Sequence, residues 1–189
     1  EWYYARLSSA DLALLGTLGS VLPALEHLNL VQFSGAAGPD GVQRLVAALG
    51  ASALPAVVFI SLGGMHMGNT GASALAAALG RGALPRLERL SLSGVSGGAS
   101  NDTDIGDAGL VALAPALRRL PGLKGLNLFN NPFGDDVLAA LVAPLPPAGA
   151  LWPPTGALTE LKALDLRYTQ ITDAGCAILA AALDSGALP

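Results

Sequence analysis

The chain has 189 residues, of which 52% are hydrophobic and 13% charged, with a single cysteine. Disorder is excluded by that hydrophobicity, and a disulfide scaffold by the lone thiol. Net charge is −4 and Arg118–Arg119 is the only adjacent basic pair, which argues against nucleic acid; no apolar run approaches the ~20 residues of a membrane span.

The first six residues, Glu1 to Arg6, lack the basic start and apolar run of a secretory signal. Ser8-x-x-Asp11 then reads as a capping-box-like start, so a helix is expected over 8–22. Leu12–Pro23 aligns without gaps on Leu110–Pro121, which makes this helix one half of a recurring unit. The other half follows at once as Leu25-x-x-Leu28-x-Leu30. It recurs as Val57-x-x-Ile60-x-Leu62, Leu87-x-x-Leu90-x-Leu92, Leu123-x-x-Leu126-x-Leu128 and Leu161-x-x-Leu164-x-Leu166. Side chains alternate along a strand, so the leucines of each L-x-L share one face.

After every strand comes a turn and then an Ala/Leu-rich run at helical spacing. Val42, Leu45 and Leu49 fall on one helix face, as do Ala72, Leu75 and Leu79, then Leu110, Leu113 and Leu117, then Cys176, Leu179 and Leu183. Capping oxygens are expected at Asp40, Thr70, Asp107 and Thr172. Repeats therefore start near 25, 57, 87, 123 and 161, spaced by 32, 30, 36 and 38 residues. Removing insertions at 94–102 and 144–157 restores a period of 28, or 30 with a longer linker. The fourth unit departs most: Val137 stands where the others carry a turn glycine, and Pro144 should cut its helix short. No unit can bury its strand and helix faces alone, so stacked units must share one core. Leu126 and Leu164 are expected to be fully buried in it.

The run Leu161 to Leu183, with Leu164, Leu166, Thr172, Gly175 and Leu179 in place, resembles a leucine-rich repeat of the ribonuclease-inhibitor type, LxxLxLxxN/CxLTxxGxxxLAxxL. The resemblance extends from Leu12 to Pro189. It implies an α/β fold: a right-handed βα solenoid, or horseshoe, with a concave parallel sheet and convex helices, forming one leucine-rich-repeat domain over 1–189. Both ends read as cut within a longer array. The family's turn Asn is replaced by Phe33, Met65, Thr103 and Thr169 and kept only at Asn131, which makes a continuous ladder of turn side chains doubtful.

The resemblance also implies a binding surface on the concave sheet face. The residues flanking the core leucines stand there: His27, Asn29, Phe59, Ser61, Arg89, Ser91, Asn127, Phe129, Asp165 and Arg167, with Asn130 and Tyr168 at the rim. Aromatic and arginine side chains are the usual anchors of interfaces.

Signals for chemistry are weak by comparison. His27 and His66 are the only histidines, and neither has ligand-spaced neighbours. Cys176 lies on a core helix face and reads as a buried structural thiol. Asn101–Asp107 is acidic but lacks the closing Glu of a Ca²⁺ loop, and Trp152 sits in a Pro-rich insertion. The expectation is an intracellular (cytoplasmic or nuclear) monomeric array that binds another protein. Catalysis, cofactor, metal, nucleic acid and membrane are not expected. The alternatives are a GTPase-activating protein of the Ran-activator type and the ligand-sensing repeats of an innate-immunity-type receptor.

Overall fold

The computed structural model describes residues 7–31, 37–94, 105–142 and 158–189. Among these residues six helices alternate with five strands. They are α1 (Ser9–Thr17, prolonged by a 3-10 turn Leu18–Ser20), β1 (His27–Asn29), α2 (Gly38–Ala48), β2 (Phe59–Ser61), α3 (Gly68–Gly80), β3 (Arg89–Ser91), α4 (Asp107–Leu117), β4 (Gly125–Asn127), α5 (Asp135–Leu141), β5 (Ala163–Asp165) and α6 (Asp173–Asp184). The strands form one parallel sheet in chain order, β1-β2-β3-β4-β5. Parallel neighbours need a crossover, and the helices supply it.

The register is the one the repeat dictates. Leu28, Ile60, Leu90, Leu126 and Leu164 lie side by side across the sheet. The next leucine of each unit extends the pairing, with Leu30, Leu62, Leu92 and Leu128 each donating its N–H to the neighbouring strand at 2.9 Å. Between sheet and helices lies one hydrophobic core. Val42, Leu45 and Leu49, then Ala72, Leu75 and Leu79, then Leu110, Leu113 and Leu117 are all buried in it, as the helical spacing predicts.

The last unit corrects two expectations. Leu126 is buried but Leu164 is only half-buried. Cys176 is exposed rather than buried, Leu183 is 56% exposed and Leu179 is half-covered. In α2, α3 and α4 those helix positions are covered by the packing of adjacent helices as well as by the sheet. Nothing among the described residues packs on the outer side of β5 and α6, so their core-type positions face solvent. Spacing locates the face, and only a following layer buries it.

Helix starts differ from the sequence reading in an informative way. The capping box at α1 forms as expected, with Ser8 and Asp11 bonded reciprocally, and Thr172 caps α6. The helices α2 and α3 instead begin at Gly38 and Gly68, so Asp40 and Thr70 lie inside their first turns. Asp107 does not cap its own helix. Its carboxylate accepts a bond from the Gly134 N–H at 2.7 Å, at the start of α5. Asn69 of α3 likewise accepts from Gly106 and Gly109 of the next unit, at 2.9 and 3.0 Å. Asp135 of α5 accepts from the Thr172 N–H and hydroxyl, at 2.9 and 2.6 Å. The starts of α4, α5 and α6 are thus completed by the unit before each, which satisfies donors that a helix leaves unpaired.

The turn glycine permits this. A side chain at Gly109 would come within 2.7 Å of the Asn69 Oδ1, and one at Gly175 would collide with the Asp135 Oδ1. Where Val137 replaces the glycine, the Asp107 carboxylate reaches one helix-start donor among the described residues, the Gly134 N–H. The helix of that unit is also the shortest of the six, at 7 residues. Pro144, the 144–157 insertion with Trp152, most of the 94–102 insertion, Phe33 and Thr103 lie outside the described residues.

The bonds from Thr172, its hydroxyl first and its N–H second, hold the Asp135 carboxyl below its ordinary value of 3.8. A carboxyl whose folded value is depressed stabilises the fold above the unfolded value and loses that contribution as pH falls through the folded one. We therefore expect stability to decline on acidification below about pH 4, and part of that decline to vanish in Asp135→Asn. Urea unfolding of both proteins between pH 3 and 7 checks this. Parallel pH profiles would exclude Asp135 as a source of the dependence.

Candidate functional site

The residues that flank the core leucines stand on the sheet face away from the helices. They form three lines across the strands. The first runs His27, Phe59, Arg89, Gly125, Ala163, and the second Asn29, Ser61, Ser91, Asn127, Asp165. The third, just beyond the strand ends, includes Phe129 and Arg167.

Large side chains in these lines gather into two clusters. In one, His27 and Phe59 have ring centroids 6.1 Å apart, and the Arg89 guanidinium lies 5.8 Å from the centre of the Phe59 ring. In the other, Tyr168 meets Phe129 edge-on at 5.1 Å and the Arg167 guanidinium lies 5.5 Å from the Phe129 ring. Cation–ring contacts of this kind are favourable by ~0.5–1 kcal/mol at exposed sites and order the side chains in advance. Phe59 and Phe129 are half-buried, while Arg89, Arg167 and His27 are exposed.

Arg167 is held by a second set of bonds. Its Nε and Nη2 donate to the two Asp165 oxygens at 2.9 and 2.6 Å. That pairing draws the Asp165 carboxyl below its ordinary value and raises the Arg167 guanidinium, each through the other's charged side chain.

Between the clusters the first line drops to Gly125 and Ala163. This step in size opens a groove of about 760 Å³, walled by Phe59 and Arg89 on one side and by Asp165 and Arg167 on the other, with Lys162 at its lip. A side chain at position 125 would touch Arg89 Cγ at 3.1 Å, so glycine keeps the floor low.

Tyr168 stands out among the rim residues. It is 76% exposed, and its backbone φ is +58°. Asn130 occupies the equivalent position of the fourth unit at φ +55°, and Gly64 that of the second at +69°. Left-handed backbone is costly for a bulky residue, and such strain clusters at functional positions. An exposed tyrosine therefore stands where glycine would fit best.

Other expected site residues serve the scaffold. Ser61 is buried, and Asn127 accepts the Phe129 N–H at 2.9 Å, shaping the turn after β4. Asn130 donates its N–H to the Arg167 carbonyl at 2.9 Å. Asn29 is half-buried with an unpartnered Oδ1, and Ser91 is half-buried beside the groove. Sequence reasoning omitted Lys162, because it precedes β5 instead of lying within it. Its place one position before the strand, like Lys124 and Glu88, was the available signal. Those two are already paired with each other at 2.8 Å. Among the described residues no three His, Cys, Asp or Glu side chains gather as a metal site would require, and no helix is long and apolar enough to cross a membrane.

Comparison with known proteins agrees with this architecture. Residues 157–180 match the family model described as leucine rich repeat. No curated protein matches the chain in sequence. Among solved structures, "Leiomodin-1 Actin-Binding Site 2 (ABS2)" is similar over 95% of this chain and 90% of its own, at a TM-score of 0.59 and 14% identity. That likeness concerns the fold. Together the family match, the structural likeness and the repeated strand register support a leucine-rich repeat protein.

Proposed function

We propose that the chain is a non-catalytic protein-interaction module that seats another protein on the open face of its sheet. In this reading residues 1–189 form one repeat domain of the ribonuclease-inhibitor-like kind, coiled as a right-handed horseshoe with that face concave. The observation that carries it is the pair of cation–aromatic clusters flanking a low-floored groove, with Tyr168 exposed on strained backbone. Rigid aromatic and arginine anchors around a concavity are what interface hot spots are made of. Cys176 is free and exposed, which suits a reducing, intracellular compartment.

Tyr168→Gly separates binding from folding. Glycine relieves the left-handed strain, so the melting temperature should hold or rise slightly, while a captured partner should be lost. Phe129→Ala should weaken the same partner. Affinity capture from cell extract with wild type and both variants, followed by thermal melts, reads the two effects. A partner retained in full by both variants would exclude this face. The similar solved structure is named for an actin-binding site, which makes filament co-sedimentation the first defined assay.

A further inference from the structure

We infer that the segment of the partner seated in the groove is acidic, its carboxylates lying over Gly125 and Ala163 between Arg89 and Lys162. The inference rests on the protein-binding reading above and adds the chemistry of what is bound.

The groove carries three cationic side chains, Arg89, Lys162 and Arg167, and a single carboxylate, Asp165. Asp165 is already engaged by two side-chain bonds and one backbone bond from Arg167, so it does not neutralise the other two cations. Lys124 is excluded from the tally because Glu88 pairs with it at 2.8 Å. Neither Arg89 nor Lys162 forms an ion pair within the described residues. A local positive excess therefore stands in a chain whose net charge is −4. Charge against the general balance of a molecule, gathered at a concavity, is how interfaces select complementary partners.

Geometry adds to charge. Arg89 is on β3 and Lys162 borders β5, with β4 between them. Two strand spacings put their backbones ~10 Å apart. Between them the floor is one glycine and one alanine, so a carboxylate entering there meets nothing larger than a methyl group and has a cation within reach on either hand. Arg89 is steadied by the Phe59 ring at 5.8 Å, which reduces the entropy lost when it binds. Arginine offers a carboxylate two parallel N–H donors. A phosphate backbone is disfavoured, because it needs runs of cations and this face carries isolated ones.

The test uses fluorescein-labelled hexaglutamate, hexaglutamine and hexalysine peptides and a decathymidine oligonucleotide. Anisotropy is measured at low and physiological salt, and backbone amide shifts are followed by NMR. Hexaglutamate should bind at least about tenfold more tightly than hexaglutamine, weaken as salt rises, and shift the amides of Gly125 and Ala163. The double variant Arg89→Ala/Lys162→Ala should lose about tenfold, while Arg44→Ala on the exposed side of α2 should change nothing. All three residues are exposed, and the wild-type amide shifts give a reading that does not depend on any variant folding. Equal binding of hexaglutamine, stronger binding of hexalysine or the oligonucleotide, no binding at all, or hexaglutamate binding that survives the double variant would each overturn the inference. The protein-binding reading fails separately, through retention of the captured partner by Tyr168→Gly and Phe129→Ala.

Discussion

Leu126→Ala should lower the free energy of unfolding by about 2–5 kcal/mol, the range for a leucine truncated inside a packed core. Leu126 is 2% exposed and sits at the centre of β4, with Leu90 of β3 on one side and Leu164 of β5 on the other. Truncation leaves a cavity that neither neighbour can fill without shifting its own strand. Leu164→Ala at the sheet edge should cost distinctly less, about half as much, since part of that side chain already meets water. Urea titration should show a lower midpoint with an unchanged slope for both variants. Equal costs at the two positions would contradict the difference between an inner and an outer layer.

Asn131→Ala is expected to be comparably severe, about 3 kcal/mol or more, because it orphans several buried groups at once. Asn131 is 1% exposed. Its Nδ2 donates to the carbonyls of Leu92, Leu128 and Phe129 at 2.9, 3.1 and 3.2 Å, and its Oδ1 accepts the Ile105 N–H at 3.0 Å. Leu92 and Ile105 belong to the third repeat and Asn131 to the fourth, so one amide ties two units together. Asn131→Asp keeps the size but aims a carboxylate oxygen at carbonyl oxygens, and should cost at least as much. Chemical denaturation reads both, and faster hydrogen exchange at the Ile105 amide would localise the loss. A change below about 1 kcal/mol in both variants would show that water replaces these bonds without penalty.

Much of this architecture was written in the spacing of leucines. The triplets from Leu25 to Leu166 gave the strands and their register, and the helical runs gave the crossovers. Periodicity is a property of the covered face, however, and cannot tell which unit lacks a cover. Leu164, Leu183 and Cys176 obey the same spacing as their buried counterparts and still meet solvent. Helix caps were legible only where side chain and helix are neighbours in sequence, as at Ser8 and Thr172. Asn69 and Asp135 act 37 residues ahead, and a chain read along its length does not reveal that reach.

For the candidate site, alternation found most of the outward residues but not their roles. Ser61 turned out buried and Asn127 occupied with its own turn. The groove depends on the contrast between Arg89 and the small residues beside it, Gly125 and Ala163. That contrast exists only across strands, and it was visible once the register was fixed. Asn131 was recognised as the one retained turn Asn, yet its four partners follow from burial and not from its identity.

The bonds from Asn69, Asp107 and Asp135 give the array a polarity. Every one of them runs toward the C-terminus, from a side chain in one helix to main-chain N–H groups, and at Asp135 a hydroxyl as well, at the next helix start. Detaching a unit from its successor leaves a solvated side chain, at little cost. Detaching it from its predecessor leaves bare N–H groups at the positive end of a helix, and that helix is the poorer for it. In a linear chain of coupled units, the loss of a unit falls through these contacts on the helix start that follows it, while the Asn131 bonds carry the opposite demand to the unit before.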